Sequence, residues 1–306
     1  MSDKRFTLHA FAKINLTLRV HGRRPDGYHE ISTTFQTITL SDSLKFEPTP
    51  DGRFELSSDA PDVPADETNL VRRAATLLRG RFGVRRGARV VLEKKIPAGG
   101  GLGGGSSDAA AALVGLSRLW DLPVTKRELA ELGARLGADV PFFFTGGTAA
   151  GTGTGTHIEP LEDAPPQRLV VVTPAVKVST AEAYKALNAP ALTKAGGAVM
   201  LPISHEEADF SASLRGETRN DFEAVVFELY PEIRRAKDAL TRAGARRAML
   251  SGSGSSVFGV FDSEGEVNVA LGALGAEAGW QVFPCATLSR GEYRARFGAC
   301  AALLEA

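Results

Sequence analysis

The stretch KKIPAGGGLGGGSSDAAAAL, Lys94 to Leu113, constrains this chain more than any other part of it. Two glycine triplets flank Leu102. The strand-like ARVVLEKKI precedes them, and Ala109, Ala112, Leu113, Leu116 and Trp120 follow at spacings of three and four, the repeat of an amphipathic helix. Glycines accept positive φ and leave no Cβ between backbone and ligand, so several N–H groups can converge on one anion. A helix opening from Ser106 adds its free amides and the positive end of its dipole. The pattern predicts a phosphate cradle from Pro97, Ala98, Gly99, Gly100, Gly101, Leu102, Gly103, Gly104 and Gly105 to Ser106 and Ser107. The competing reading is a flexible linker, but linkers rarely run straight into an apolar helix.

Several known phosphate loops do not fit. Gly99, Gly101 and Gly104 satisfy G-x-G-x-x-G, yet a dinucleotide fold needs a second strand ending in an acid about 20 residues on. Here Asp121 falls in a turn between two helical patterns. No Gly-Lys-Ser/Thr follows the glycines, which removes a Walker loop, and the catalytic-loop and Asp-Phe-Gly sequences of protein kinases are missing.

The rest of the chain alternates strand and helix patterns. In RFTLHAFAKINLTLRVHG, Ile14, Leu16, Leu18 and Val20 occupy one face of a strand, and Lys13, Asn15, Thr17 and Arg19 the other. Lys13 and Asn15 are therefore expected to point the same way. A Pro-Asp-Gly turn then presents Tyr28 and His29. Helices are predicted from Asp66 to Gly83 and from a Thr125 to Glu128 capping box to a left-handed cap at Gly137. A glycine-, threonine- and proline-rich run ends near Gln167. Beyond it come RLVVVTP, STAEAYKAL, a polar stretch to about Thr218, helices from Asn220 to Ala243, RRAMLSGSGSSVFGVF, a helix from Glu264 and a strand at WQVFPCATL. This order predicts two α+β domains, residues 1–166 and 167–306, the second a split βαβ sandwich.

With 306 residues, 43% hydrophobic, the chain can support two cores. Its 36 basic and 36 acidic residues cancel, so no overall field draws in nucleic acid or anionic lipid, and an anionic ligand must be held by local geometry. No apolar run reaches membrane-spanning length, and the N-terminus lacks a signal-peptide core. A cytoplasmic protein with no membrane association and no obligate protein partner is expected. Cys285 and Cys300 lack metal-site spacing and are read as packing residues.

PAGGGLGGGSSDAA resembles the ATP loop of the GHMP small-molecule kinases, the superfamily of galactokinase, homoserine kinase, mevalonate kinase and phosphomevalonate kinase. AFAKINLTLRVHGRRPDGYHEI, GADVPFF and SGSGSSVFGVF extend that resemblance, in order, to the 4-diphosphocytidyl-2-C-methyl-D-erythritol kinase family. The resemblance implies a two-domain fold: an ATP domain with a left-handed βαβ unit, an exception to the usual handedness, and a ferredoxin-like C-terminal sandwich. It implies transfer of phosphate from ATP, with Mg2+, to the 2-hydroxyl of the cytidylyl substrate, a step in the methylerythritol phosphate route to isoprenoid precursors.

By the same resemblance, Asp139 is the base, and Lys13 lowers its pKa and steers the hydroxyl. Tyr28 and Tyr184 lie on opposite sides of the cytosine, and His29, with Asn15, meets the substrate's polar groups. Ser251, Gly252, Ser253 and Gly254 close over the site. On residue type alone, Asp139 reads as a helix cap, Lys13 as a solvated strand lysine, Tyr28 and His29 as hairpin surface groups, and Ser251–Ser256 as a tight hairpin. A magnesium contact through Ser107 is open; the metal ligands are not set by the sequence. A homoserine or mevalonate kinase would share the loop without needing the aromatic clamp. A nucleotide-binding protein without chemistry would not need both Lys13 and Asp139. A dehydrogenase fails on topology, and an RNA-binding module on charge.

Overall fold

The long hairpin that opens the chain organises everything after it. The structure, a computed structural model, describes residues 5–192 and 218–305. Strands β1 (Phe6–Arg23) and β2 (His29–Glu47) pair antiparallel across the Pro-Asp-Gly turn. Gly27 takes φ 90°, its N–H donates to Arg24 O at 3.0 Å, and the Asp26 carboxylate accepts from Tyr28 N at 3.1 Å.

The alternation expected in β1 is interrupted by register shifts between Phe11 and Lys13, Asn15 and Thr17, and Val20 and Gly22. Both faces of the strand are covered, so its polar and apolar residues alike are buried around Lys13 to Leu16.

The first sheet runs β3 (Phe54–Ser58), β4 (Ala88–Glu93), β2, β1, β8 (Arg219–Asn220), with β5 (Thr148–Gly153) pairing to β2 and β6 (His157–Pro160) to β5. β3 and β4 are parallel and are joined through helix α1 (Leu70–Phe82), which forms the βαβ unit. α1 begins later than Asp66 because that carboxylate accepts from Thr68 in a preceding turn, and Asn69 caps the helix instead.

Helix α2 (Gly104–Leu119) starts inside the glycine loop, ahead of Ser106, and α3 (Lys126–Ala134) carries the expected Thr125–Glu128 capping box. Gly137 is not a left-handed cap. Leu136 N and Gly137 N both donate to Gly133 O, at 2.9 and 3.1 Å, tightening the chain into the 3-10 turn Val140–Phe144.

The second sheet has the order β11 (Trp280–Ala286), β7 (Arg168–Pro174), β10 (Val257–Phe261), β9 (Arg247–Leu250), antiparallel throughout. Helices α4 (Thr180–Leu187), α5 (Phe222–Leu229), α6 (Pro231–Arg242) and α7 (Glu264–Leu274) complete the ferredoxin-like split βαβ. Most of the polar stretch read up to Thr218 lies outside the described residues.

Three apolar layers result. One lies between the first sheet and α1 to α3. A second lies between the two sheets, where Ile14 and Leu16 meet Leu169, Val171 and Phe258. The third packs Val170, Val172 and Val257 against α5 to α7. The C-terminal helix α8 (Arg290–Ala295) and the 3-10 turn Gly298–Leu304 return to the first layer, burying Tyr293, Phe297, Cys300 and Leu304 there. Both cysteines are free and buried, and burial pushes the Cys285 thiol up to about 12.

Candidate active site

Where the hairpin, the glycine loop and the second sheet's loops meet, the fold leaves a cavity of about 980 Å³. β1 contributes Lys13 and Asn15, the hairpin turn Tyr28 and His29, and the glycine loop Gly101 and Gly103. Ser106, Asp139, Tyr184, Gly252 and Ser253 complete the set of expected residues that line it.

Lys13 is 3% exposed, and its backbone N–H donates to Leu102 O at 2.9 Å, which ties the strand to the glycine loop. A buried ammonium is costly unless paired. Its Nζ donates to Asn15 Oδ1 at 2.8 Å and lies 3.5 Å from Asp139 Oδ2. Asn15 is held in turn by donating to Thr33 Oγ1 at 2.7 Å. Asp139 precedes a 3-10 turn but makes no capping hydrogen bond, and its side chain remains 34% exposed in the cavity. The helix-cap reading of Asp139 and the solvated-lysine reading of Lys13 are thereby set aside.

Gly99, Gly101 and Gly103 all have φ between 70° and 74°. At Gly101 a Cβ would sit 2.1 Å from Ser251 O, so glycine is required there both by conformation and by close approach. The Ser251–Ser256 loop docks directly on this backbone. Ser251 Oγ donates to Gly101 O at 3.0 Å, and Ser256 N to Gly100 O at 3.0 Å. Leu102 turns its side chain into the layer between the sheets, and Ser107 is buried outside the cavity, leaving Ser106 as the hydroxyl that faces it. Pro97, Ala98, Gly99, Gly100, Gly104, Gly105, Ser251 and Gly254 do not line the cavity.

The aromatic groups are arranged differently from a simple two-sided clamp. Tyr28 stands 67% exposed at the rim. His29 stacks on Tyr184, with centroids 4.4 Å apart and planes 18° from parallel, and Tyr184 meets Phe222 edge-on at 4.8 Å. Burial, and then the Arg23 charge, lower the His29 pKa, which keeps the imidazole neutral with one donor and one acceptor. Burial, then the Asp139 carboxylate, push the Tyr184 hydroxyl up to about 12.

Sequence reasoning missed two sets of charges. Arg23 and Lys185 also line the cavity; Lys185 follows Tyr184 directly, the one signal that could have found it. Beneath the loop, Lys94 Nζ bridges Asp42 Oδ2 and Asp108 Oδ2, the latter at 2.7 Å, with all three side chains buried. The other Asp42 oxygen accepts from Ile96 N at 2.8 Å. The segment entering the loop is thus tied through β2 to the helix leaving it. Burial alone would lower the Lys94 pKa, but Asp108 and Asp42 outweigh it and the net shift is upward. Burial is the main cause that pushes the Asp108 carboxyl up to about 7, Lys94 opposing and Asp42 adding to it. Asp42 sits in a β2 run that gave no hint of this role.

Among the described residues no three His, Cys, Asp or Glu side chains gather as a metal cage, and no helix is long and apolar enough to cross a membrane. Magnesium needs less than a cage: one or two carboxylates with phosphate oxygens and water suffice. The Ser106 hydroxyl, which faces the cavity, fits that donor set beside phosphate oxygens and water.

Known proteins resemble this chain along most of its length. Residues 69–147 match the family model described as GHMP kinases N terminal domain, and 200–279 the one described as GHMP kinases C terminal. A 4-diphosphocytidyl-2-C-methyl-D-erythritol kinase of Solibacter usitatus is 41% identical, over 94% of this chain and 90% of that protein. The like-named protein of Pelotomaculum thermopropionicum is 45% identical over 82% of this chain and 87% of its own. A crystal structure of 4-(cytidine 5'-diphospho)-2C-methyl-D-erythritol kinase superposes with TM-score 0.75 at 36% identity, covering 92% of this chain and 99% of that one. A homoserine kinase structure from Cytophaga hutchinsonii, at 18% identity and TM-score 0.68 over 94% of this chain and 96% of its own, shares the fold.

Proposed function

The chain belongs to the 4-diphosphocytidyl-2-C-methyl-D-erythritol kinases of the GHMP family, and on that premise we propose that it transfers the γ-phosphate of ATP to the 2-hydroxyl of this cytidylyl substrate. The observation that carries the residue roles is the 3.5 Å pairing of Lys13 with Asp139 in the same cavity that Tyr28, His29 and Tyr184 line.

Phosphoryl transfer depends mainly on positioning and on offsetting charge. The glycine loop, with the first amides of α2, receives the triphosphate. The acceptor hydroxyl oxygen attacks the γ-phosphorus, the bond to the ADP oxygen breaks, and the hydroxyl proton passes to an Asp139 oxygen. Lys13, held by Asn15, orients that carboxylate and offsets charge on the transferring group. Magnesium, which Ser106 would help to hold, would supply further charge neutralisation on the phosphates.

The cytosine ring stacks at the Tyr28 and Tyr184 end. Neutral His29 can both donate to and accept from the base edge, and Arg23 and Lys185 are the cations available to the acceptor's diphosphate. Residues 1–166 supply the glycine loop together with Lys13, Asp139, Arg23, Tyr28 and His29, and residues 167–306 supply Tyr184, Lys185 and the Ser251–Gly254 closure.

Purified protein with ATP and magnesium, offered the cytidylyl substrate, homoserine and mevalonate separately, tests the assignment by phosphorus NMR. A new phosphomonoester signal with the cytidylyl substrate alone is expected. Transfer to another alcohol would keep the Lys13 and Asp139 roles but remove the clamp.

A further inference from the structure

Behind the turn that carries Asp139 lies a second cavity, of about 420 Å³. Its charged lining is basic: Lys126 and Arg127 from the start of α3, His157 from β6 and Arg294 from α8. Arg127 pairs with Glu131 at 3.3 Å, and His157 with Glu159 at 3.1 Å. Lys126 and Arg294 have no carboxylate partner among the described residues, and the buried Arg294 Nε has no hydrogen-bond acceptor. An unpaired buried donor is expensive, and so is convergence of like charges from elements far apart in sequence. Burial, then the charges of Arg294 and Arg290, lower the Lys126 pKa, and no carboxylate acts against them. The lining also carries the apolar Pro141, Phe144 and Ile158, together with Thr145 and Thr156.

We propose that this cavity is a second anion site, separate from the glycine loop, that takes a small phosphate ester: its phosphate between Lys126 and Arg294, its organic part against Pro141, Phe144 and Ile158. The phosphate supplies the acceptor that the Lys126 ammonium and the Arg294 guanidinium, which both line the cavity, lack among the described carboxylates. The volume admits a small ester but not a folded polymer segment. Pro141 and Phe144 follow Asp139 on one turn, so an occupant rests against the segment that positions the base.

Phenyl phosphate is a suitable probe because it has both a phosphate and an apolar ring. The titration is calorimetric, at constant ionic strength, into the full-length protein already saturated with a non-hydrolysable ATP analogue so that the glycine loop is filled. One equivalent is expected to bind, and Lys126→Gln and Arg294→Gln are each expected to weaken binding by about tenfold or more, the loss of one charged contact. Turnover without the probe should be unchanged in both variants. Lys126 is half-exposed, so Lys126→Gln alone decides the matter should Arg294→Gln fail to fold. Equal affinity in wild type and Lys126→Gln, or no binding at millimolar probe, would overturn the proposal. The assay needs no phosphoryl transfer, so its result is independent of the substrate assignment above.

Discussion

Two buried lysines flank the glycine loop, and their surroundings differ in one decisive respect. Lys94 is sealed between Asp42 and Asp108, both buried, and does not line the site cavity. Lys13 is just as buried, but its carboxylate partner, Asp139, keeps a third of its side chain open to the cavity. The same pair of residue types therefore serves two ends. A closed pair ties chain segments together, whereas a pair open on one side leaves an oxygen accessible, as the proposed base role of Asp139 requires. Burial of the carboxylate, more than burial of the lysine, separates the structural pair from the one proposed to be chemical.

The sharpest way to break this comparison is to neutralise each pair in turn. Asp139→Asn is expected to lower kcat by about 10²–10⁴-fold, with ATP affinity and thermal stability nearly unchanged because the pair is partly solvated. Steady-state kinetics with a melting curve checks it; near-normal kcat would remove the base assignment. Lys94→Met should do the reverse. Leaving two buried carboxylates without their cation is expected to cost about 3–5 kcal/mol of stability, read from urea unfolding, with kcat per folded molecule changed far less.

A smaller effect sharpens the open side of the comparison. Tyr28→Ala is expected to raise KM for the cytidylyl substrate by the equivalent of about 1–3 kcal/mol of stacking, leaving KM for ATP unmoved. Equal changes in both constants would argue against a base clamp.

The most gradual effect belongs to the closed side and is spread over several pH units. An unfolded aspartate ionises near 3.8, whereas the folded Asp108 keeps its proton up to about 7. Between those values the native state holds more protons than the unfolded one. This group's contribution to stability is therefore full below about pH 4 and is lost as pH rises through about 7, with a slope of at most about 1.4 kcal/mol per pH unit. Asp108→Asn should flatten that decline in urea midpoints measured across the window. An unaltered slope would place the titration on another group.

The features legible in the sequence were those whose cause is local. The hairpin turn at Pro25 to Gly27, the Thr125 capping box and the helix after the glycines are set by neighbouring residues, and they stand as expected. Gly137 was misread because a glycine after a helix looks the same whether the chain turns left-handed or tightens into a 3-10 turn; packing of Val140 and the three phenylalanines after it goes with the second course. The strict alternation read into β1 failed for a related reason, since a strand covered on both faces has no solvent side to enforce a period of two.

Local sequence was enough to show that a glycine-rich loop opens into a helix and that Lys13 and Asn15 share a face, because glycine φ freedom and strand geometry act over a few residues. That Asp139 stands 3.5 Å from Lys13, that His29 covers Tyr184 and that Asp42 reaches Lys94 came from the packed fold alone. Those contacts join residues far apart along the chain, and their distances are set by how two sheets and their helices pack, which no local pattern encodes.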